Sequence, residues 1–146
     1  MIEYRRITAA DVPALTDLAL SAIPDDPLLL VSAAKVRTMV EFFANSDAHF
    51  QLAAFDAGKP VAGVAMLVTE MPFHERMEGT IVFCFSRTAG AGLHLLRAMM
   101  RFVYESMQIR RVSWAMNMGF DRRLTLLAKK IQFQSDHPTF MHFKGA

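Results

Sequence analysis
The residues with the most chemical potential lie in one short run, Ser86-Arg87-Thr88-Ala89-Gly90-Ala91-Gly92. Two glycines within three residues strip side chains from the backbone where an anion would have to come close. Arg87 adds a cation suited to phosphate, or is simply a solvated turn residue. A helix starts in the same run, with Leu93, Leu96, Met100, Val103 and Met107 on one stripe and His94, Arg97, Arg101 and Glu105 off it. The first turn of such a helix offers N–H groups without partners and the positive end of a dipole, which together favour a negative ligand. Upstream, Thr80-Ile81-Val82-Phe83-Cys84-Phe85 is β-branched and aromatic, the pattern of a buried strand. Strand, small-residue loop and helix thus make an anion-binding unit over Gly79–Ser106, and the chain is organised around it. No Gly-Lys-Ser/Thr closes the loop, so it is not a P-loop. A dinucleotide fingerprint is also excluded, because its third glycine and distal acid are missing. The same small residues would equally let a helix pack tightly on a strand with no ligand at all.

Other reactive groups are sparse. Cys84 is the single cysteine, flanked by Phe83 and Phe85. It reads as a small buried hydrophobe, since a reactive thiol wants an electropositive or partly exposed setting. None of the five histidines has a second His or Cys at i+3 or i+4, so no metal is expected. Asp25, Asp26 and Glu41 could attract a cationic amine or form a solvated loop and face.

The elements around this unit follow in order. Ile2–Ile7 alternates as a strand. Thr8-Ala9-Ala10-Asp11 then reads as a capping box with Asp in place of Glu, and Leu15, Leu18, Ala19 and Ala22 give the next helix an apolar face behind Pro13. Pro24-Asp25-Asp26-Pro27 breaks that helix. A second one runs from an N-cap at Ser32 to Ala44 and buries Val36, Met39, Val40 and Phe43. His49–Phe55 and Val61–Thr69 form a hairpin around Asp56-Ala57-Gly58-Lys59-Pro60. Phe73–Glu78 bridges to the central strand. After the core helix, Val112–Asn117 is a strand parallel to the first of that unit. Asp121 caps a last helix carrying Leu124, Leu127, Ala128 and Ile131 inward, and Thr139–Phe143 is a final strand.

The 146 residues are enough for one domain with a proper core, and 12 Phe and 11 Met make that core aromatic and adaptable. A net charge of only +2, with no basic run, argues against nucleic acid. A lone cysteine fits a reducing compartment. The absence of a long apolar stretch or signal-peptide pattern leads us to expect a cytoplasmic protein without membrane partners.

Arg87-x-x-Gly90-x-Gly92 after an apolar strand resembles the pyrophosphate loop of the GNAT superfamily of acyl-CoA-dependent N-acyltransferases, Gln/Arg-x-x-Gly-x-Gly/Ala. The opening "ITAADVPALTDLA" and the hairpin "FDAGKPVAGVAMLV" with Gly63 are similar to the same family, as is the element order βαα–βββ–αβ–αβ. The strands near the third-to-fourth connection are also similar to several phage and prophage proteins of that fold. The resemblance implies a single α+β domain over residues 1–146. Its central sheet would be mixed but mainly antiparallel, with about six to seven strands, splayed at the cofactor site and flanked by about four helices. It further implies an N-acetyltransferase that moves the acetyl group of acetyl-CoA directly to an amine on a small molecule or protein; homodimerisation is left open.

In that reading the main chain of Val82, Phe83 and Cys84 holds the pantetheine arm and polarises the thioester. Arg87, Thr88, Ala89, Gly90, Ala91 and Gly92 hold the diphosphate, and Asn117, or alternatively Asp121, lies where the family has an Asn after the fifth strand. Glu78, just before the central strand, leads as the base, ahead of Glu70, His74 and Glu75. The other reading of each is a surface residue, and a water chain could take its place. The general acid departs from the pattern. The Tyr expected five residues before Phe133 is Ala128, and Gln132 replaces a glycine. That departure keeps open an inactive CoA-binding or structural module. A third reading is an unrelated α+β binding domain.

Overall fold
The computed structural model describes residues 1–23, 30–115, 134–136 and 139–143. Asp25, Asp26, Asn117, the Asp121 helix with Ala128, and Phe133 lie outside them, so the expectations placed there have no structural counterpart here. Among the described residues seven strands form one sheet: β1 (Ile2–Arg5), β2 (Phe50–Asp56), β3 (Lys59–Glu70), β4 (Met77–Ser86), β5 (Ile109–Ala115), β6 (Gln134–Asp136) and β7 (Thr139–Phe143). Their order across the sheet is β1-β2-β3-β4-β5-β7-β6, antiparallel everywhere except between β4 and β5. Three α-helices accompany them among the described residues: α1 (Val12–Ala22), α2 (Ala33–Ala44) and α3 (Ala89–Glu105). This is the mixed, mainly antiparallel α+β architecture expected from the sequence.

Local chemistry sets the boundaries. Asp11 Oδ2 accepts from the Thr8 amide at 2.8 Å and the Thr8 hydroxyl at 2.7 Å, closing the entry to α1. The Arg5 guanidinium grips both Asp11 oxygens at 2.7 and 2.9 Å while lying over the Phe55 ring, 3.8 Å from its centroid. Ser32 caps α2, its hydroxyl accepting from the Lys35 amide at 3.3 Å. In the β2–β3 turn, Ala57 and Gly58 have φ of 46° and 78°, the left-handed pair that a two-residue hairpin needs.

The sheet is covered on both faces. α3 packs on one, with Leu95, Leu96, Met99 and Val103 against Val64, Met66, Ile81, Val112 and Trp114. On the other, Leu15 and Leu18 of α1 and Val40 of α2 meet Phe55 and Phe85, and Val36 joins the same cluster. Met107, expected on the α3 stripe, is instead 82% exposed, because the helix ends at Glu105 with the Ser106 amide bonded to Phe102 O. Ala22 is likewise exposed, and Met39 only half-buried. Glu78 was expected just before the central strand but lies inside it. β4 begins at Met77, and Glu78 pairs with Thr69 on one side and Arg111 on the other. A charged residue and a glycine at a strand start hide that pairing from a hydrophobic pattern. The glycine is nevertheless required, since a Cβ at Gly79 would sit 2.4 Å from Met66 Sδ.

One irregularity shapes β4. Its register with β3 passes from Met66↔Ile81 to Ala65↔Phe83, leaving Val82 as an extra residue, a β-bulge. Ile81 therefore faces α3, whereas Phe83 and Phe85 face α1 and α2. Strict alternation would have put all three on one side.

Candidate functional site
Pairing of β4 with β5 runs from Met77↔Ile109 to Ile81↔Trp114, and no β5 partner for Val82–Ser86 exists among the described residues. On its other edge the same stretch stays bonded to β3. Unpaired strand edges are ready acceptors of an extended, amide-bearing chain.

This stretch of β4 leads through a short turn into the first turn of α3. There the Arg87 amide donates to Val61 O at 2.8 Å and so is not available to a ligand. Ser86 Oγ accepts from the Thr88 amide at 3.2 Å and donates to the Thr88 carbonyl, folding the turn on itself. Thr88 is the N-cap but gives no side-chain cap, and the first intrahelical bond is from the Gly92 amide to Thr88 O at 3.2 Å. The amides of Ala89, Gly90 and Ala91 precede that bond and have no intrahelical acceptor. Of the seven loop residues, then, three offer amides in the way an anion requires.

The two glycines have separate reasons. A Cβ at Gly90 would meet nothing within 4 Å, so the space beside this residue of the first turn is open. A Cβ at Gly92 would lie 2.9 Å from Ser86 Cβ, so Gly92 permits the helix to close on the strand end. Ala91 is buried against the α3 core. The Arg87 side chain is exposed and donates to Ser21 Oγ of α1 at 3.2 Å, which ties the loop to α1.

The remaining candidates lie along β4. The Cys84 thiol is pushed up to about 12 by burial, so it resists forming the thiolate a nucleophile needs. Phe83 sits among aromatic rings, edge-on to Phe43 at 5.7 Å and stacked on Phe85 at 5.2 Å. Glu78 is 19% exposed and bound by Arg111, whose Nε donates to Oε2 at 2.8 Å and whose Nη2 reaches the same oxygen. Thr80 Oγ1 and Ser113 Oγ lie 3.3 Å apart one step along. Glu78, Thr80 and Val82 follow at two-residue steps on the face away from α3, which puts Glu78 roughly 12 Å from the bulge. Of the alternatives, His74 and Glu75 lie in the exposed 71–76 connection and Glu70 ends β3.

Next to the bulge, a cavity of about 530 Å³ opens between α2 and the sheet, lined chiefly by Met39, Phe42, Phe43, Leu67 and Val82. Reading the sequence alone did not find it. The signal was the Phe42-Phe43 pair: adjacent helical residues point about 100° apart, so only one could enter the core. Phe43 does, and Phe42 remains 47% exposed. His49 closes the same corner, its ring 5.3 Å from Phe42 and its Nδ1 accepting from the Val68 amide at 3.1 Å.

This geometry has close counterparts among solved structures. A GNAT-family acetyltransferase from Streptococcus pneumoniae superposes with a TM-score of 0.70 at 16% identity, covering 99% of this chain and 100% of its own. Arabidopsis thaliana NAA60, bound to a bisubstrate analogue, gives 0.76 at 13% identity and 98% coverage of both chains. A Brucella melitensis GNAT-family acetyltransferase in complex with acetyl-CoA gives 0.73 at 12% identity, covering 100% of this chain and 90% of its own. The chain has the GNAT fold. Identities this low establish the fold and leave activity to the site itself. No protein-family model matches the chain, and no curated protein matches it in sequence. These bacterial and plant structures lend no support to the phage and prophage likeness. Among the described residues, no helix is long and apolar enough to cross a membrane.

Proposed function
We propose that the protein is an N-acetyltransferase that binds acetyl-CoA in the β4–β5 cleft and acetylates an amine on a small molecule or protein. One observation carries this reading: among the described residues β4 has no β5 partner beyond the bulge, and that stretch leads to three amides without an intrahelical acceptor at the α3 N-terminus. The residues fit the cofactor. The open space at Gly90 admits a diphosphate against the amides of Ala89, Gly90 and Ala91, and the Val82–Cys84 edge can bond the amides of a pantetheine arm. Arg87 can leave Ser21 to face the diphosphate.

Bound there, acetyl-CoA supplies a thioester carbonyl for an amine nitrogen to attack, with the thiolate leaving. A main-chain N–H of the Val82–Cys84 edge polarises that carbonyl without reorganising. Glu78, fixed by Arg111, takes the amine proton through intervening water, because roughly 12 Å is too far for direct transfer. Neither tyrosine is placed to protonate the sulfur. Tyr4 stacks on His94 at 3.9 Å, and Tyr104 lies in the last turn of α3. With Ala128 in the usual slot, water supplies that proton. Calorimetry with acetyl-CoA and thiol release against an amine panel test the proposal. Binding without release on any amine returns the protein to a CoA-binding module, and no binding removes the cofactor site.

A further inference from the structure
The cavity beside the bulge points to the kind of amine accepted, and this inference rests on the acetyltransferase reading. We infer that the acceptor is a monoamine with an apolar body of about aromatic-ring size, seated between α2 and β3–β4 with its nitrogen toward Val82. Three observations converge on it.

The first is continuity. Val82 belongs both to the exposed edge of β4 and to the cavity wall, so a group filling the cavity places its polar end at the point where β4 and β5 separate. The second is the lining. Met39, Phe42, Phe43, Leu67 and Val82 make the walls apolar, and a volume of about 530 Å³ is in the range of small-molecule sites. Phe42 and Val82 stay exposed, at 47% and 38%, and both border this one space. Apolar surface left bare on a helix and on a central strand is what a ligand with an apolar body would cover.

The third is charge. The only ionisable lining residue is Lys35, and no carboxylate lines the cavity among the described residues. The nearby acid of α2, Glu41, is already held by Arg37 at 2.9 Å. A second ammonium on the acceptor would therefore meet Lys35 as a like charge and no carboxylate of the described lining. That selects against polyamines and lysine-rich peptides by repulsion, not only by lack of attraction. Phe42 and Phe43 are specificity determinants in this scheme, with no part in the bond-making step.

The test compares 2-phenylethylamine, spermidine and a lysine-rich peptide as acceptors by thiol release, beside calorimetry of acetyl-CoA alone. The expected result is a kcat/KM for 2-phenylethylamine at least tenfold above the other two. Phe42→Ala, at an exposed position, should raise KM for 2-phenylethylamine about tenfold while leaving Tm and acetyl-CoA affinity unchanged. Thr38→Glu, which adds a carboxylate to the wall, should narrow the preference over spermidine. If spermidine or the peptide is the better acceptor, or Phe42→Ala leaves KM unmoved, the acceptor assignment is overturned and the transferase stands. If acetyl-CoA fails to bind, both fall together.

Discussion

Replacing Gly90 with Glu should make the protein more stable and a worse binder of CoA, two effects of opposite sign from one side chain. Gly90 is the second residue of α3, and its missing Cβ faces open space. Any non-glycine residue there recovers about 0.5–1 kcal/mol of helix propensity, and a carboxylate in the first turn adds a few tenths more against the dipole. A net gain of about 1 kcal/mol raises Tm by roughly 3–5 °C in a domain of this size. Binding moves the other way. A carboxylate about 5 Å from a phosphate charge is repelled by roughly 3 kcal/mol at an effective dielectric near 20 and about 1 kcal/mol if the site is well hydrated. The Kd for CoA should then rise roughly 10- to 100-fold. Differential scanning calorimetry and titration calorimetry on the same preparation read both quantities. Gly90→Gln serves as the uncharged control, with a similar Tm gain and a smaller loss of affinity. A higher Tm with an unchanged Kd would falsify the loop as the diphosphate site, because it would show the helix improved and the ligand indifferent.

Further outcomes follow from other parts of the molecule. Glu78→Gln should lower kcat at least tenfold without changing CoA affinity, measured by thiol release and titration calorimetry. Asp11 is held well below the ordinary carboxylate range, first by its hydrogen bonds from Arg5 and then by those from Thr8. Its contribution is therefore complete above the unfolded value near ~3.9 and is lost as pH falls through the depressed folded one. Asp11→Asn should cost roughly 1–2 kcal/mol at pH 7, given the partial exposure of Arg5, and should flatten the acid limb of urea-unfolding curves taken from pH 6 to pH 2. Cys84, half-buried against the α3 core with its thiol pushed up by desolvation, should react with a neutral alkylating reagent at pH 8 more slowly in the folded than in the unfolded protein, as read by mass spectrometry; equal rates would contradict that raised pKa.

Much of this architecture is visible in the residues because each local cue agrees with its neighbours. Thr8 to Asp11, Ser32, and the Ala57-Gly58 turn each have one chemical solution, and all three form as their types require. The strand–loop–helix unit is legible for the same reason: β-branched and aromatic residues, then small ones, then a periodic apolar stripe. What escapes is whatever depends on a partner distant in sequence. The Val82 bulge exists only relative to β3, and nothing within Ile81–Phe85 announces it. Glu78 belongs to a strand because Thr69 and Arg111 flank it, and its Arg111 partner is 33 residues away. Loop amides look alike in a sequence, yet that of Arg87 is consumed by Val61. The cavity needs α2 and the sheet brought together, so its walls were read as ordinary core positions.

The bulge has a consequence for how the two halves of the cleft are kept in step. Val82 is counted by β4 but not by β3, so every residue after it is out of phase with every residue before it. Deleting that single residue would leave both ends on their present faces, because Ile81 keeps its pairing with Met66 and Phe83 its pairing with Ala65. Deleting any paired residue beyond it would instead turn the rest of the strand over. The end that runs into the helix and the end that carries Glu78 are thus each held in step by β3, and Val82 is the one tooth that can be removed without turning either.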